Sequence, residues 1–377
     1  MPSSRLILGI VPWYSVLIVC GICVALFLCT REEKRLGLKE DTTVDLALYV
    51  IPSGIVGARL YYVAFSWPMF RDDPLSILKI WNGGLAIYGA ILGGLIGVCL
   101  FSWRRRISLP ALCDMVVPGL ALAQAIGRWG NFFNMEAYGL PVTEPSLQFF
   151  PFAVRIVDSG AEVWHMATFF YESCWDLGVF AVLWLMRRRM QRSGDLTLLY
   201  MLFYGAGRAM IEGLRMDSLM TSGGGARVSQ LLSVALCLAA VLVFVLRSAG
   251  RSRAARWLLC ASALPGAALG YWMSTLAAQQ PFPGYGAVWA ASFAMLACFA
   301  VLVCSGNTRR LLAVPPLMLS ALAILIHACL AQAYSGPETS LVLCACLSSL
   351  LMGLGACAYA AASAMQTRSL PPSESRP

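Results

Sequence analysis

Near its start the chain reads ILGIVPWYSVLIVCGICVALFLC, from Ile7 to Cys29, without a single charged residue. An α-helix of roughly 20 such residues crosses the hydrocarbon core of a bilayer. The run is too long for the apolar region of a cleavable signal peptide, which has roughly 7–15 residues. We therefore predict a membrane-spanning helix here rather than a leader that is removed.

Further apolar runs follow along the whole chain, and with the first they predict about eleven spans. The other ten are Val44–Phe65, Gly83–Phe101, Leu109–Ile126, Met166–Met186, Leu196–Ile211, Val228–Leu246, Trp257–Leu276, Val288–Cys304, Leu311–Ala333 and Leu341–Met365. The predicted fold class is therefore an all-α, polytopic membrane protein.

The composition excludes several other classes of protein. Hydrophobic residues make up 59% of the 377 residues and charged residues 12%, whereas a soluble domain has about 25% charged residues. The formal net charge is +9, but most basic residues flank the apolar runs, which favours the membrane surface over nucleic acid. Most cysteines lie inside apolar runs and act as small hydrophobic residues. Because neither they nor His165 and His327 have metal-ligand spacing, we predict no metal and no organic cofactor.

The basic residues are concentrated in alternate loops, which sets the predicted orientation. These loops contain Arg31, Lys34, Arg35 and Lys39; Arg104, Arg105 and Arg106; Arg187, Arg188, Arg189 and Arg192; Arg247, Arg251, Arg253 and Arg256; Arg309 and Arg310; Arg368 and Arg376. The positive-inside rule makes them cytoplasmic, so the N-terminus is outside and the C-terminus inside. The unusual polar segments, Gly127–Gly139, Leu140–Trp164 and Arg208–Asp217, then face outward, and we expect the chemistry on that side.

Charged side chains at the membrane boundary mark the candidate site, because such residues are costly there and usually functional. Tyr204, Arg208, Glu212 and Arg215 share one helical stripe at spacings of 4, 4 and 3 residues. The stripe has two readings, an internally paired structural network or a site for an anion such as a lipid phosphate. We expect guanidinium groups in excess of the local carboxylates, which favours the phosphate.

The glycines of the third span also leave two readings open. Gly83, Gly84, Gly89, Gly93, Gly94 and Gly97 put small residues along this predicted span. They could permit close helix packing, or leave room for an acyl chain.

An ordered series of motifs is more specific. It comprises Trp13-Tyr14, Gly57-Ala58-Arg59, Asp73-Pro74-Leu75, Trp81 to Gly89 (WNGGLAIYG), Gly127 to Gly139 (GRWGNFFNMEAYG), His165, Tyr171-Glu172, Tyr204 to Arg208 (YGAGR) with Glu212 and Arg215, and Ser229-Gln230. Over about residues 5–247 the chain resembles the bacterial phosphatidylglycerol–prolipoprotein diacylglyceryl transferases, a family with seven spans.

The resemblance implies an enzyme that moves the diacylglyceryl group of phosphatidylglycerol onto the lipobox cysteine thiol of a prolipoprotein. A thioether forms and glycerol phosphate leaves, so the protein must stabilise negative charge on phosphate and act on a deprotonated sulfur. The resemblance assigns Arg128 and Arg208 as catalytic residues. It assigns as substrate-binding or supporting residues Tyr14, Arg59, Asn131, Asn134, Glu136, Gly139, Glu172, Glu212 and Arg215. Tyr88, which departs from the family, could hydrogen-bond substrate or be an interfacial packing residue. Asn131, Asn134 and Glu136 would also hold Arg128 in place, and Gly139 would permit a close turn.

The sequence departs from some family members at two positions. Tyr88 stands where certain members have histidine, and a phenol with a pKa of about 10 is a poor general base at neutral pH. This gives more weight to arginine electrostatics and leaves the base for the thiol open. Leu140 stands where some members have arginine, so phosphate contact there is lost or supplied by Arg155 or Arg215.

The predicted organisation is a transferase core at residues 1–247 with a small outward-facing head at about 140–164. Four further spans at 248–366 and a disordered cytoplasmic tail at 367–377 follow. The predicted location is a bacterial cytoplasmic membrane, with the lipid bilayer, phosphatidylglycerol and prolipoprotein signal peptides as partners. Two alternatives remain, a membrane transporter or channel for an anion, and an inactive scaffold that retained the fold.

Overall fold

A computed structural model describes residues 5–7, 9–143, 145–158, 161–188, 192–212 and 214–217, with isolated positions between 228 and 243. These residues are mostly helical, and five helices among them are long and apolar enough to cross a membrane. The five are Trp13–Leu36 (α1), Thr42–Phe65 (α2), Ile87–Arg105 (α3), Leu109–Asn134 (α4) and Thr168–Met186 (α5). A sixth, more polar helix is Asp195–Glu212 (α6). The prediction of a polytopic membrane protein is confirmed. The predicted spans after residue 247 and the tail lie outside the described residues.

Among the helix bounds that differ from the predictions, three have a clear local cause. α1 begins at Trp13, not Ile7, because Leu6–Ile7 (β1) and Val11–Pro12 (β2) form an antiparallel hairpin before it. α3 begins at Ile87 because Gly83 and Gly84 have φ values of 85° and 72°, which only glycine adopts readily.

The third difference bears on the site. α4 continues past the predicted end at Ile126 to Asn134 and stops before Met135, whose φ is 53°. The first half of the GRWGNFFNMEAYG motif is therefore a helix end and not a loop. Its side chains consequently have helical spacing.

The described residues divide into two compact units. One contains residues 22–120 with 192–194, and the other contains the described residues of 1–21 and 121–191 and those from 195 onward. In the first unit α2 and α3 run antiparallel at close range. A Cβ atom at Gly57 would lie 2.8 Å from the Cα atom of Gly93, and one at Gly89 would lie 2.9 Å from the Cα atom of Ala58. Gly89, Gly93 and Gly97 are buried, so the close-packing reading holds for these three glycines.

The second unit contains α5, α6, the C-terminal part of α4 and a hairpin of Ala153–Asp158 (β3) and Ala161–Met166 (β4). Isolated bridges extend this hairpin, since Pro141 pairs with His165 and Gly139 with Arg215. The all-α prediction was therefore wrong for the head, which contains a β-hairpin. The segment that follows α6 is joined to the head by a backbone hydrogen bond from Leu140 N–H to the carbonyl oxygen of Leu214 at 3.0 Å.

Candidate active site

Side-chain hydrogen bonds fix α5 against α4 next to the predicted catalytic arginine. The indole N–H of Trp129 donates to Ser173 Oγ at 3.1 Å, and the Ser173 hydroxyl donates to the carbonyl oxygen of Ala125 at 2.8 Å. Arg128 directly precedes Trp129 and Glu172 directly precedes Ser173. The pair of hydrogen bonds therefore sets Arg128 of α4 beside Glu172 of α5.

Hydrogen bonds also hold α6 against α4 and α5. The indole N–H of Trp175 donates to the carbonyl oxygen of Phe203 at 2.9 Å, and its ring lies where a Cβ atom at position 207 would be, so Gly207 is required. The phenol of Tyr200 donates to Gln124 Oε1 at 2.9 Å. These contacts place Arg208 of α6 on the same cluster.

The result is a continuous series of ion pairs, which we call the ion-pair chain. Its members in spatial order are Asp176, Arg128, Glu172, Arg208, Glu212, Arg215 and Asp217. Arg128 Nη2 lies 2.7 Å from Glu172 Oε1, and Arg208 Nη1 lies 2.6 Å from the same oxygen. The two predicted catalytic arginines thus meet at one atom.

The charge balance of the ion-pair chain differs from the prediction. Within the ion-pair chain three guanidinium groups meet four carboxylates, so this cluster does not contain the excess of arginine that we expected. Glu172, Glu212 and Asp176 have side chains only 3%, 2% and 1% exposed, whereas those of Arg128 and Arg208 are 19% and 15% exposed. Buried charges require partners, and the structural reading of the stripe therefore holds. It is compatible with phosphate binding, because both guanidinium groups keep an accessible edge.

Arg215 is held in place by a backbone bridge to Gly139, the last glycine of the GRWGNFFNMEAYG motif. Its backbone pairs with Gly139, which lies between Met166, Thr168 and the Leu214 carbonyl with no space for a side chain. Gly139 has no positive φ, so the expected close turn is wrong and close packing is the reason for glycine. Arg215 also makes a bidentate contact with Asp217, at 2.9 Å for both bonds.

Asp217, at one end of the ion-pair chain, lies outside the helices. Partial burial raises the pKa of Asp217, but the hydrogen bonds and charge of Arg215 outweigh this, and the net pKa is lowered. Asp217 therefore stays ionised at neutral pH and keeps Arg215 paired.

The amides of the motif cluster around a different carboxylate. Asn131 Nδ2 and Asn134 Nδ2 donate to Glu136 Oε1 at 3.1 and 3.2 Å. The expectation that these three residues hold Arg128 is wrong, because the salt bridges of Arg128 in the described residues go to Glu172 and Asp176.

Tyr14 and His165 are placed by packing in the same unit. The ring of Tyr14 packs over Gly130, where a Cβ atom would come within 2.5 Å of it. His165 is fully buried, with Nδ1 2.9 Å from the carbonyl oxygen of Gly139. Arg155, a predicted substitute for the missing arginine at 140, has an exposed side chain on β3, 3.4 Å from Glu162.

Arg59 and Tyr88 lie in the other unit. Arg59 is 7% exposed and donates to five carbonyl oxygens, those of Ser76, Ile77, Lys79, Gly83 and Gly84 at 2.7–3.5 Å. A guanidinium group has five N–H donors, so this one is fully used in holding the segment from Ser76 to Gly84. The ring of Tyr88 lies 6.2 Å from that of Tyr61.

The residues that align the helices could not be identified from the sequence alone. Gln124, Ser173 and Trp175 were not singled out, although Gln124 precedes Arg128 by four residues and Tyr200 precedes Tyr204 by four. Such spacing shows that side chains share a face, but not which neighbour the face meets.

Comparison with known proteins agrees with this site. The family model described as prolipoprotein diacylglyceryl transferase matches residues 6–246, a range that contains the whole ion-pair chain. It gives no support to the transporter alternative.

Individual relatives carry the same name. The phosphatidylglycerol–prolipoprotein diacylglyceryl transferase of Enterococcus faecalis is 45% identical over 239 residues, 62% of this chain and 86% of the relative. Those of Halalkalibacterium halodurans and Geobacillus kaustophilus are 40% and 41% identical, each over 66% of this chain and over 88% and 94% of the relative. The match confirms the resemblance read from the motifs. This chain belongs to the prolipoprotein diacylglyceryl transferase family.

Proposed function

We propose that this protein transfers the diacylglyceryl group of phosphatidylglycerol to the lipobox cysteine of a prolipoprotein, the first step of lipoprotein maturation. The cysteine sulfur, after losing its proton, attacks the glycerol carbon that carries the phosphate. The new carbon–sulfur bond forms as the carbon–oxygen bond breaks, and glycerol phosphate leaves with the electron pair. A thioether is the other product.

The meeting of Arg128 and Arg208 at Glu172 Oε1 carries this proposal. Planar guanidinium groups match phosphate oxygens, and two of them from different helices converge on a point already suited to a negatively charged oxygen. A phosphate oxygen beside their accessible edges would receive donors from both. Fixed donors aimed at developing charge stabilise a transition state because no reorganisation is needed.

The other predicted site residues receive supporting roles in this proposal. Glu172 and Glu212 hold the two catalytic arginines by ion pairs, and Arg215 extends this support to the head. We assign Asn131, Asn134 and Glu136 to binding the glycerol headgroup. Glu136 is exposed, and both side-chain amides contact its carboxylate, so the three form one accessible polar cluster. Tyr14 and Tyr88 remain predicted substrate contacts. Arg59 acts indirectly, because its donors are used within the protein. Gly139 acts through packing.

We further propose the bacterial cytoplasmic membrane as the location, with the N-terminus outside and the C-terminus inside. The alternation of basic loops supports this orientation. The proposed organisation keeps a seven-helix core at residues 1–247, with a head at about 140–164. Four additional spans at 248–366 and a disordered tail at 367–377 would follow. Apolar runs without internal charge support the added spans.

Release of glycerol phosphate tests the function directly. Purified protein in nanodiscs should release it from phosphatidylglycerol only when a lipobox peptide with a free cysteine is present. Arg128→Ala and Arg208→Ala should each reduce the rate at least about 100-fold, the usual effect of removing a transition-state donor. Arg155→Ala, at an exposed side chain of the hairpin, is the matched control and should keep most of the rate. Wild-type release without the peptide, or normal rates in both arginine variants, would contradict the proposal.

A further inference from the structure

Asp176 is the least satisfied acid of the ion-pair chain. Its side chain is 1% exposed, and Oδ2 lies 3.9 Å from Arg128 Nε, which is longer than a hydrogen bond. No described residue donates a hydrogen bond to this buried oxygen. Glu172, one helical turn earlier, has contacts of 2.7 and 2.6 Å with two arginines. Of the acids in the ion-pair chain, this buried carboxylate is therefore the one whose charge a further negative group nearby would destabilise most easily.

Substrate would make this imbalance worse. The four carboxylates of the ion-pair chain already outnumber its three guanidinium groups, and phosphatidylglycerol carries one further negative charge on its phosphodiester. When this group binds Arg128 and Arg208, it competes for the attraction that stabilises the buried acids. Like charges at close range favour protonation of the weakest-held acid.

The ionisable groups that face Asp176 identify where a proton would go. They are Arg128 on α4, Glu172 on α5, and Tyr200, Tyr204 and Arg208 on α6. Arginine and tyrosine ordinarily titrate at about pH 10 or above, so the two carboxyl groups are the candidates. Glu172 is held by two short ion pairs, and Asp176 by one long contact.

We propose that Asp176 takes up a proton from solvent when a lipid phosphodiester binds at Arg128 and Arg208, and releases it when the phosphate group departs. Asp176 is then a positioning residue that adjusts the charge around Arg128 and does not touch the lipid. This inference rests on the proposed function, because it requires the phosphodiester to bind at the two arginines.

The number of protons taken up on lipid binding can be measured without the transfer reaction taking place. Phosphatidylglycerol is titrated into the wild-type protein in detergent, with no acceptor peptide, in two buffers that differ in ionisation enthalpy. The difference in binding heat gives the number of protons taken up. We expect close to one per bound lipid, and affinity that weakens by up to about tenfold per pH unit over the range where free Asp176 is ionised.

Asp176→Asn should abolish the proton uptake and make lipid affinity independent of pH, while Asp176→Glu should retain both. Glu162→Gln, at an exposed carboxylate of the hairpin outside the ion-pair chain, is the matched control and should retain uptake. No uptake by the wild type, or equal uptake by Asp176→Asn, would overturn the inference even if the lipid binds and glycerol phosphate is released. The wild-type count decides the matter even if a variant does not fold. Absence of both lipid binding and glycerol phosphate release would instead overturn the proposed function, and this inference with it.

Discussion

Arg128 and Arg208 lie on different helices and meet at a single carboxylate oxygen, Glu172 Oε1, at 2.7 and 2.6 Å. The Glu172 carboxylate therefore stabilises the fold by holding both arginines. It also occupies the point to which the N–H donors of the two proposed catalytic residues are directed. Removing Glu172 and removing an arginine should therefore have different effects.

The first prediction concerns Glu172→Gln. The amide keeps one acceptor oxygen but removes the charge between two largely buried guanidinium groups, so we expect a loss of about 3 kcal/mol in the free energy of unfolding. Thermal or denaturant unfolding in detergent measures it. Glu162→Gln, which removes an exposed partner of Arg155 at 3.4 Å, should cost less than about 1 kcal/mol. Equal losses in the two variants would show that Glu172 does not hold the arginines.

The second prediction uses two glycines in helices of the same unit. Gly207→Ala places a methyl group inside the space of the Trp175 indole, and such overpacking typically costs about 1–3 kcal/mol. The variant should also lose transferase activity, because α6 carries Arg208. Gly127→Ala is the control, since a Cβ atom there has no heavy atom within 4 Å. It should be neutral or stabilise the helix by up to about 1 kcal/mol. The prediction fails if Gly207→Ala unfolds at or above the wild-type temperature.

The third prediction concerns Arg59→Lys. Lysine has three donors where arginine has five, and five carbonyl oxygens surround the group. We expect faster amide hydrogen exchange from Ser76 to Gly84, while the ends of α2 and α3 away from this segment exchange as in the wild type. Arg71→Lys, at a side chain 66% exposed, should leave exchange unchanged. A substrate contact alone would lower activity without changing exchange, and that pattern would contradict the holding role.

Contacts within one helix of the site could be predicted from the sequence, and contacts between helices could not. Spacing within a helix predicted that Arg208 and Glu212 share a face, and their ion pair at 2.6 Å confirms it. The contact between Arg128 and Glu172 depends instead on how α4 packs against α5. Spacing within one helix carries no information about that packing, so it could not identify Ser173 and Trp175 as residues that align the helices.

The apolar pattern had a similar limit. It located the spans because burial in lipid requires uncharged helices, but it placed the start of α3 at Gly83 and the end of α4 at Ile126. Backbone conformations with positive φ set those ends, and hydropathy does not encode them. The hairpin of the head was missed for a related reason, because its strands are short and its bridge from His165 to Pro141 joins residues far apart in the sequence.

The last prediction concerns Gly139→Ala. A methyl group there would lie 2.7 Å from Met166 Cβ and 2.8 Å from Thr168 Cγ2, and 3.1 Å from the Leu214 carbonyl oxygen. Since β4 and α5 are fixed by their own contacts, we expect the segment Leu214–Met216 to move, and Arg215 with it. Arg128 and Arg208 would keep Glu172, so phosphatidylglycerol should still bind while kcat falls about tenfold or more, the effect of a displaced supporting group. Lipid binding and glycerol phosphate release, measured on the same sample, separate the two effects. A matched loss of lipid affinity with unchanged kcat would instead assign Gly139 to the headgroup contact itself.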